Sequence, residues 1–376
     1  MTSHNYDVLI IGAGIVGAAC LDECARAGLK AAAIEANMIG GGATAAGMGH
    51  VTVMDDSDAQ FALTRYSQLL WREMQEELPE SVEYDPCGTI WVATDDDEMQ
   101  EVKRKHQYYS SRGVPVEILD EQALGEAEPN LRKRLVGGLR IKEDVVIYPP
   151  AAARFLIERA QAWGADVYVG SPVISMSDES LKLGDDSKLS AGLIVNAAGS
   201  WAPLLTPGID VKKRKGHLLI TDRYPNFARH QLVELGYLKS AHTLTAESVA
   251  FNVQPRKTGQ LLIGSSRQFG VDSSAVEPSI LARMLERAKE YLPGLGKLSS
   301  LRAWTGFRAA TPDKLPLIGP HLTQKRLYLA TGHEGLGITT SLATARLLVD
   351  QILGRDSAIP VTPYLPERVV RGLAHV

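Results

Sequence analysis

The chain has 376 residues, of which 45% are hydrophobic, and a formal net charge of −4 at pH 7. This length predicts two compact domains, or one large α/β body with an inserted second domain. The small negative charge gives no general attraction to nucleic acid, and no apolar run reaches membrane-spanning length. Only residues 1–7 precede the first predicted strand, too few for a signal peptide, so we expect a cytoplasmic protein, free or peripherally attached to the inner membrane.

The chain opens with the pattern of a dinucleotide-binding βαβ unit. The apolar run 8–11 leads directly into Gly12-Ala13-Gly14-Ile15-Val16-Gly17 and then into an alanine-rich helical stretch. These glycines allow a tight turn, a close approach to a pyrophosphate and close packing of helix on strand. Glu35 closes the next apolar run and is expected to bind ribose hydroxyls. Because its carboxylate would repel a 2′-phosphate, the motif favours FAD or NAD over NADP.

A glycine-rich segment at residues 40–47 follows the second predicted strand. It is too rich in glycine for a regular element, and it starts at the carboxyl edge of the sheet, where such folds bind cofactors. We expect its backbone to approach a ligand; the alternative is a flexible surface loop.

Helices and strands are then predicted along the rest of the chain. The predicted helices span about residues 58–77, 151–163 and 279–291. Strands are predicted at 88–93 and 165–169, a buried strand that ends in small residues at 193–201, and strands of a second sheet at 218–220, 250–253 and 260–264.

A second strand, glycine loop and helix close the pattern. The apolar run 327–330 passes through residues 331–337 into a helix that ends near Leu353, with Gly354 as its C-cap. Two helix N-termini would serve a cofactor with two anionic parts, a pyrophosphate and a flavin ring that gains negative charge when reduced.

The cysteines and one basic run have simpler interpretations. Cys20, Cys24 and Cys87 lack the spacing of an iron–sulfur or zinc site, and we expect the first two to pack as small apolar residues. We predict no metal site. The basic run 212–215 favours a solvated loop, with docking of a partner protein as the alternative.

Taken in order, the motifs resemble those of the D-amino acid oxidase and glycine/sarcosine oxidase superfamily of FAD-dependent amine oxidoreductases. The resemblance lies in residues 12–17 with Glu35, 43–44, 196–201, 306–313 with 316–319, and 332–337. It implies an α/β plus α+β chain, in which a Rossmann-type FAD-binding domain carries an inserted antiparallel-sheet substrate domain. The expected FAD domain comprises residues 1–82, 145–212 and 303–376, and the substrate domain comprises 83–144 and 213–302.

The resemblance also implies roles for individual residues. Arg308 matches the position that binds the substrate carboxylate, a role that suits a planar bidentate fork, with a structural ion pair as the alternative. Tyr148, Tyr237 and His50 are further catalytic candidates. The expected cofactor contacts are Gly12, Gly14, Ile15, Val16, Gly17, Glu35, Ala43, Thr44, Gly47, Met48, Val173, Ala197, Ala198, Gly199, Trp201, His333, Glu334, Gly335, Leu336, Gly337 and Ile338.

FAD is expected to bind noncovalently. Relatives that attach flavin through histidine do so in the small-residue loop, but residues 43–47 contain no histidine. The cysteine that tethers flavin in sarcosine oxidases is also absent from residues 304–319. His50 is expected either to line the flavin or to be structural, and His333 to lie at the flavin edge.

Within the superfamily, the motifs at 304–308 and 332–340 resemble most the flavoprotein β subunits of D-hydroxyproline dehydrogenases and opine oxidases. This implies oxidation of a secondary amine alpha to a carboxylate, such as cis-4-hydroxy-D-proline, D-proline or an opine, by hydride transfer to flavin N5. Electrons would pass to a partner subunit or a quinone. The alternatives are a self-sufficient oxidase of glycine, sarcosine or D-amino acids, a non-catalytic FAD-binding electron-relay subunit, and an NAD-dependent dehydrogenase, against which the second glycine loop argues.

Overall fold

Two eight-stranded sheets form the framework of the protein in the computed structural model. The structure describes residues 5–236 and 247–368. Its helices are α1 Ile15–Arg26, α2 Gly42–Ala45, α3 Asp58–Glu73, α4 Asp96–Ser110, α5 Glu121–Ala127, α6 Pro149–Ala162, α7 Ala202–Leu205, α8 Pro278–Tyr291 and α9 Gly337–Leu353. Its strands are β1 Tyr6–Ile11, β2 Ala31–Glu35, β3 His50–Val51, β4 Thr89–Ala93, β5 Val116–Asp120, β6 Gly137–Ile141, β7 Val145–Val146, β8 Asp166–Val169, β9 Val173–Met176, β10 Ser180–Leu183, β11 Lys188–Asn196, β12 Lys212–Thr221, β13 Gln231–Glu234, β14 Glu247–Pro255, β15 Leu261–Phe269, β16 Ser300–Ala310, β17 Leu317–Pro320 and β18 Leu327–Thr331.

The first sheet has the parallel core that the βαβ pattern predicts. Strands β8, β2, β1, β11 and β18 lie side by side and parallel, and β17 adds an antiparallel edge. Helix α1 packs on this sheet between α6 and α9, where Cys20 and Cys24 are fully buried, as predicted. Because parallel strands end at one edge, the segments after β1, β2, β11 and β18 converge there.

The second sheet has the order β16-β12-β15-β14-β13-β4-β6-β5. It is antiparallel except for the β13–β4 pair, so the prediction of an α/β plus α+β fold is confirmed. Helix α8 covers one face, where Phe251 stacks on Tyr291 with ring centroids 4.2 Å apart. The opposite face of β16, β12, β15 and β14 contributes to the cavity described below.

The predicted domain division stays a prediction, and the strand pairing bears on two of its boundaries. β12 and β16 pair along their length, from Lys212 opposite Ala310 to Thr221 opposite Ser300. The boundaries at 212/213 and 302/303 therefore fall inside strands of the second sheet.

Two local predictions were wrong. Residues 42–45 form the short helix α2 rather than an irregular loop. The basic run 212–215 is the start of β12 rather than a solvated loop, and Lys215 is fully buried. The Lys215 ammonium donates to the Glu277 carboxylate and to the Ala275 carbonyl, each at 2.7 Å, and these partners make its burial possible.

A buried carboxylate lies between β6 and β7. Asp144, just after β6, accepts hydrogen bonds from the Thr52 hydroxyl at 2.5 Å, the Gln68 amide at 2.9 Å and the Val53 N–H at 3.2 Å. Burial is the largest influence and raises the pKa of Asp144 to about 7 in spite of these donors.

We therefore expect the free energy of unfolding to fall as the pH rises from about 4 to 7, because folded Asp144 keeps a proton that the unfolded chain has lost. The contribution is at most about 1.4 kcal/mol per pH unit. Asp144→Asn removes this contribution and should flatten the slope, although the amide lowers stability overall by facing the same donors. Urea unfolding of both proteins at several pH values measures the slopes, and equal slopes would contradict the assignment.

Candidate functional site

A cavity of about 740 Å³ lies between the carboxyl edge of the first sheet and the inner face of the second. It brings together most of the residues predicted from the sequence, including Arg308 and His50. The predicted cofactor contacts that line it are Gly12, Gly14, Ile15, Val16, Glu35, Ala43, Thr44, Gly47, Met48, Val173, Ala197, Ala198, Gly199, Trp201, His333, Glu334, Gly335, Gly337 and Ile338. Segments far apart in the chain therefore meet in one site.

Each glycine at the start of α1 has its own structural reason. Gly12 has a φ of +100°, and a Cβ there would lie 2.8 Å from the Ala197 carbonyl oxygen. A Cβ on Gly17 would lie 1.9 Å from the Gly12 carbonyl oxygen, so helix and strand pack closely at this point. A Cβ on Gly14 would meet only the Thr44 hydroxyl, at 3.2 Å, and the residue lines the cavity. Gly14 is thus left open to a ligand.

Glu35 and Thr44 fix the backbone around this opening. The Glu35 carboxylate accepts the N–H of Ala13 and the N–H of Asn37, each at 2.8 Å. Its two oxygens keep further acceptor capacity toward the cavity, which fits ribose hydroxyls. The Thr44 hydroxyl accepts the N–H of Ile15 at 2.9 Å and so ties the segment after β2 to the start of α1.

Two helices point their N-termini into the cavity. The N-cap residues, Gly14 of α1 and Leu336 of α9, make no side-chain hydrogen bond to their helices. The first hydrogen bonds within these helices run from Ala18 to Gly14 and from Thr340 to Leu336, so earlier N–H groups have no partner inside the helix. Two positive helix ends with available N–H groups fit an anionic dinucleotide.

The two candidate histidines are uncharged near neutral pH. Burial lowers the pKa of His50 and that of His333 to about 3, because it disfavours the charged ring. Nε2 of His333 lies 3.0 Å from the Thr344 hydroxyl, while the Thr339 hydroxyl donates to the His50 carbonyl at 2.9 Å. Both bonds connect the cavity wall to α9.

Arg308 reaches the cavity from β16. Its guanidinium donates to the Ser266 carbonyl at 3.1 Å, across the intervening strand β12. A Cβ on Gly216 would lie 2.4 Å from Nη1 of Arg308, so the glycine makes room for this group. The arginine lines the cavity beside the last glycine loop, since a Cβ on Gly335 would lie 3.7 Å from its Nε, and there it can pair with an anionic group of a second ligand.

Glu334 connects the last glycine loop to the second sheet. The Arg214 guanidinium contacts both Glu334 carboxylate oxygens, at 2.9 and 3.0 Å, and the Glu334 N–H donates to the Ala309 carbonyl at 2.8 Å. The Glu334 carboxylate is therefore engaged by protein, and its backbone and stem line the cavity.

Three of the predicted residues that the structure describes do not line the cavity. Gly17 packs behind it, and Leu336 caps α9. Tyr148 is 45% exposed at the start of α6, with the Arg256 guanidinium 5.3 Å from its ring, and its role in substrate binding stays a prediction. Tyr237 lies outside the described residues.

Sequence reasoning missed residues on the second sheet that complete the cavity. They are Gly216 and Leu218 on β12, Asn252 on β14, and Ser265 on β15. No motif marks them, because they belong to separate strands and only their register brings them together. In the parts of the chain that the structure covers, no group of three or more His, Cys, Asp or Glu side chains is placed to hold a metal ion. No helix among the described residues combines the length and apolar character needed to cross a membrane.

Comparison with known proteins agrees with this geometry. The profile of the DAO family, described as FAD dependent oxidoreductase, matches residues 7–351. The chain belongs to this family. FAD is therefore its cofactor, the predictions of an FAD-dependent oxidoreductase and of the superfamily are confirmed, and the cradle at Gly14, Glu35 and the two helix N-termini fits that dinucleotide. Noncovalent attachment stays a prediction.

Several relatives match over nearly the whole chain. Glycine oxidase of Bacillus licheniformis is 28% identical over 360 residues, 93% of this chain and 94% of that protein. Hydrogen cyanide synthase subunit HcnC of Pseudomonas aeruginosa is 25% identical and covers 97% of both chains. The crystal structure of glycine oxidase from Geobacillus kaustophilus superposes with a TM-score of 0.87 at 25% identity, over 96% of this chain and 98% of that one. L-Proline dehydrogenase from P. horikoshii, at 22% identity and a TM-score of 0.88 over 98% and 99% of the chains, shares the fold.

Proposed function

We propose that the chain oxidises an amine whose α-carbon carries a carboxylate. The observation that carries the proposal is the position of Arg308, whose guanidinium lines the same cavity as the FAD-binding edge of the first sheet. When bound, FAD supplies a flavin ring that accepts a hydride at N5. The relatives named glycine oxidase support an amine as the hydride donor.

The chain's own residues bind and orient the substrate. Arg308 pairs with the carboxylate through a planar fork, and this fixes which side of the α-carbon faces the first sheet. Gly216 leaves space for the fork, and the Ser266 carbonyl holds it. His50 and His333, neutral in this environment, add no positive charge that would compete for the carboxylate.

The substrate we propose is a secondary amine: cis-4-hydroxy-D-proline, D-proline or an opine. Its electrons pass to a partner subunit or a quinone. This finer assignment is supported by the motif resemblance to β subunits of heteromeric dehydrogenases. The relative HcnC is itself a subunit of hydrogen cyanide synthase, which supports an assembly with other electron-transfer subunits.

A second candidate is a self-sufficient oxidase of glycine, sarcosine or a D-amino acid that passes electrons to oxygen. The relatives named glycine oxidase favour it, because they match over more than nine-tenths of the chain. The two candidates differ in their electron acceptor, since the second must release peroxide and the first need not.

Anaerobic mixing of the holoprotein with single amines tests the proposal. We expect the flavin absorbance to bleach with cis-4-hydroxy-D-proline, D-proline or an opine such as octopine or nopaline. Glycine and sarcosine serve as probes of the second candidate, with peroxide measured after oxygen is admitted. Bleaching by glycine or sarcosine with stoichiometric peroxide would replace the first candidate by the second, and no bleaching by any amine would indicate an electron-relay subunit.

A further inference from the structure

Two buried polar side chains of the cavity each carry a polar atom that no described residue pairs with. Asn252 is 7% exposed and Ser265 is 4% exposed, and both line the cavity. The Asn252 Oδ1 atom and the Ser265 hydroxyl have no hydrogen-bond partner among the described residues. Buried polar atoms are almost always paired in folded proteins, and unpaired ones are costly, so these atoms indicate a ligand.

The two residues lie close together on neighbouring strands and both line the cavity. Asn252 on β14 pairs with Gly264 on β15, and Gly264 directly precedes Ser265 in the chain. Neighbouring strands are about 4.8 Å apart and consecutive Cα atoms about 3.8 Å apart, so one ligand group that enters the cavity can contact both polar side chains.

The same pair lies close to Arg308. Ser265 precedes Ser266, whose carbonyl accepts the Arg308 guanidinium at 3.1 Å. Because consecutive Cα atoms are about 3.8 Å apart, one compact amino acid can contact Arg308 and Ser265 together.

The geometry points to a subsite for a hydroxyl group on the substrate, formed by Asn252 and Ser265. A hydroxyl donates to Asn252 Oδ1 and accepts from the Ser265 hydroxyl at the same time, and it suits either orientation of the Asn252 amide. With Oδ1 facing the cavity, a second carboxylate has no proton to donate to it, and a methylene would leave both groups unpaired. The enzyme therefore selects a compact amino acid that carries a hydroxyl group. This inference rests on the proposed function, since Arg308 must hold the carboxylate.

Matched substrate pairs test the subsite. The values of kcat/KM are measured with an artificial electron acceptor for cis-4-hydroxy-D-proline against D-proline and for D-serine against D-alanine. Because a site built to bind a hydroxyl discriminates strongly against its absence, we expect the hydroxylated member of at least one pair to be preferred about tenfold or more. Ser265→Ala and Asn252→Leu should each reduce that ratio about tenfold. Ser248→Ala, on β14 but outside the cavity, is the control and should leave the ratio unchanged.

The outcomes separate the inference from the proposed function. Flavin content and thermal unfolding confirm that each variant is folded. If the wild type prefers the unsubstituted substrates, or the variants lower both members of a pair equally, the subsite is wrong while amine oxidation stands. If the enzyme oxidises glycine or sarcosine but no member of either substrate pair, the subsite is again wrong while amine oxidation stands. If no amine reduces the flavin, both the subsite and the proposed function fail.

Discussion

Arg308→Ala is expected to lower kcat/KM for a carboxylate-bearing amine by about 10²- to 10⁴-fold, mainly through a raised KM. The fork makes two charge-assisted hydrogen bonds, each worth about 1.5–3 kcal/mol, and 1.4 kcal/mol corresponds to a factor of ten. FAD content should stay at the wild-type level, because the guanidinium donates to the Ser266 carbonyl on the second sheet and β16 keeps its pairing with β12. Steady-state kinetics and the flavin-to-protein absorbance ratio measure both effects.

Three controls separate carboxylate binding from a structural role. Arg302→Ala removes an exposed arginine from the same strand, with its guanidinium 5.6 Å from the Trp304 ring, and should leave kcat/KM unchanged. Arg308→Lys keeps the charge but loses the bidentate geometry, so it should restore only part of the rate. Pyrrolidine lacks the carboxylate, so wild type and Arg308→Ala should oxidise it at similar rates. An equal loss with D-proline and with pyrrolidine would instead assign Arg308 to the structure of β16.

The FAD-binding corner could be predicted from the sequence because its signals are local. The apolar run, the three glycines and Glu35 lie within one βαβ unit, and each residue acts through backbone geometry or through a neighbour at fixed spacing. The strand, loop and helix before Gly354 were predicted for the same reason, and that residue has the left-handed conformation of a C-cap, with a φ of +64°.

The inner face of the second sheet could not be predicted in this way. Gly216, Asn252, Ser265 and Arg308 lie on four strands, and the register of β16, β12, β15 and β14 decides which side chains share a face. Only Arg308 had a motif around it. The other three look like ordinary strand residues until the pairing is known.

The basic run at 212–215 shows why charge alone misled the prediction. When only the local sequence is considered, four consecutive basic residues indicate a solvent-exposed segment. In the fold, Glu277 lies against Lys215 and Glu334 against Arg214. These carboxylates come from more than 60 residues further along the chain, and they compensate charges that a strand would otherwise not bury.

Gly14→Ala is expected to weaken FAD binding about 10- to 100-fold while the protein stays folded. Gly14 has a φ of −66°, which alanine adopts without strain, and its Cβ would meet only the Thr44 hydroxyl, at 3.2 Å. The added methyl would occupy the space through which a pyrophosphate reaches the first turn of α1. Loss of one charge-assisted hydrogen bond corresponds to about that change in affinity. Titration of the apoprotein with FAD measures the dissociation constant, and thermal unfolding of the apoprotein reports the fold.

Two other glycines of the same βαβ unit make this prediction specific. Gly28 has a φ of +84° with no atom within 4 Å of an added Cβ, so Gly28→Ala should cost about 1 kcal/mol of stability and leave FAD affinity unchanged. Gly17→Ala would bring a methyl within 1.9 Å of the Gly12 carbonyl oxygen, so it should destabilise the apoprotein itself. If Gly14→Ala instead lowered apoprotein stability as Gly17→Ala does, its effect on FAD would come from packing. If it left the affinity unchanged, the pyrophosphate would not lie against the start of α1.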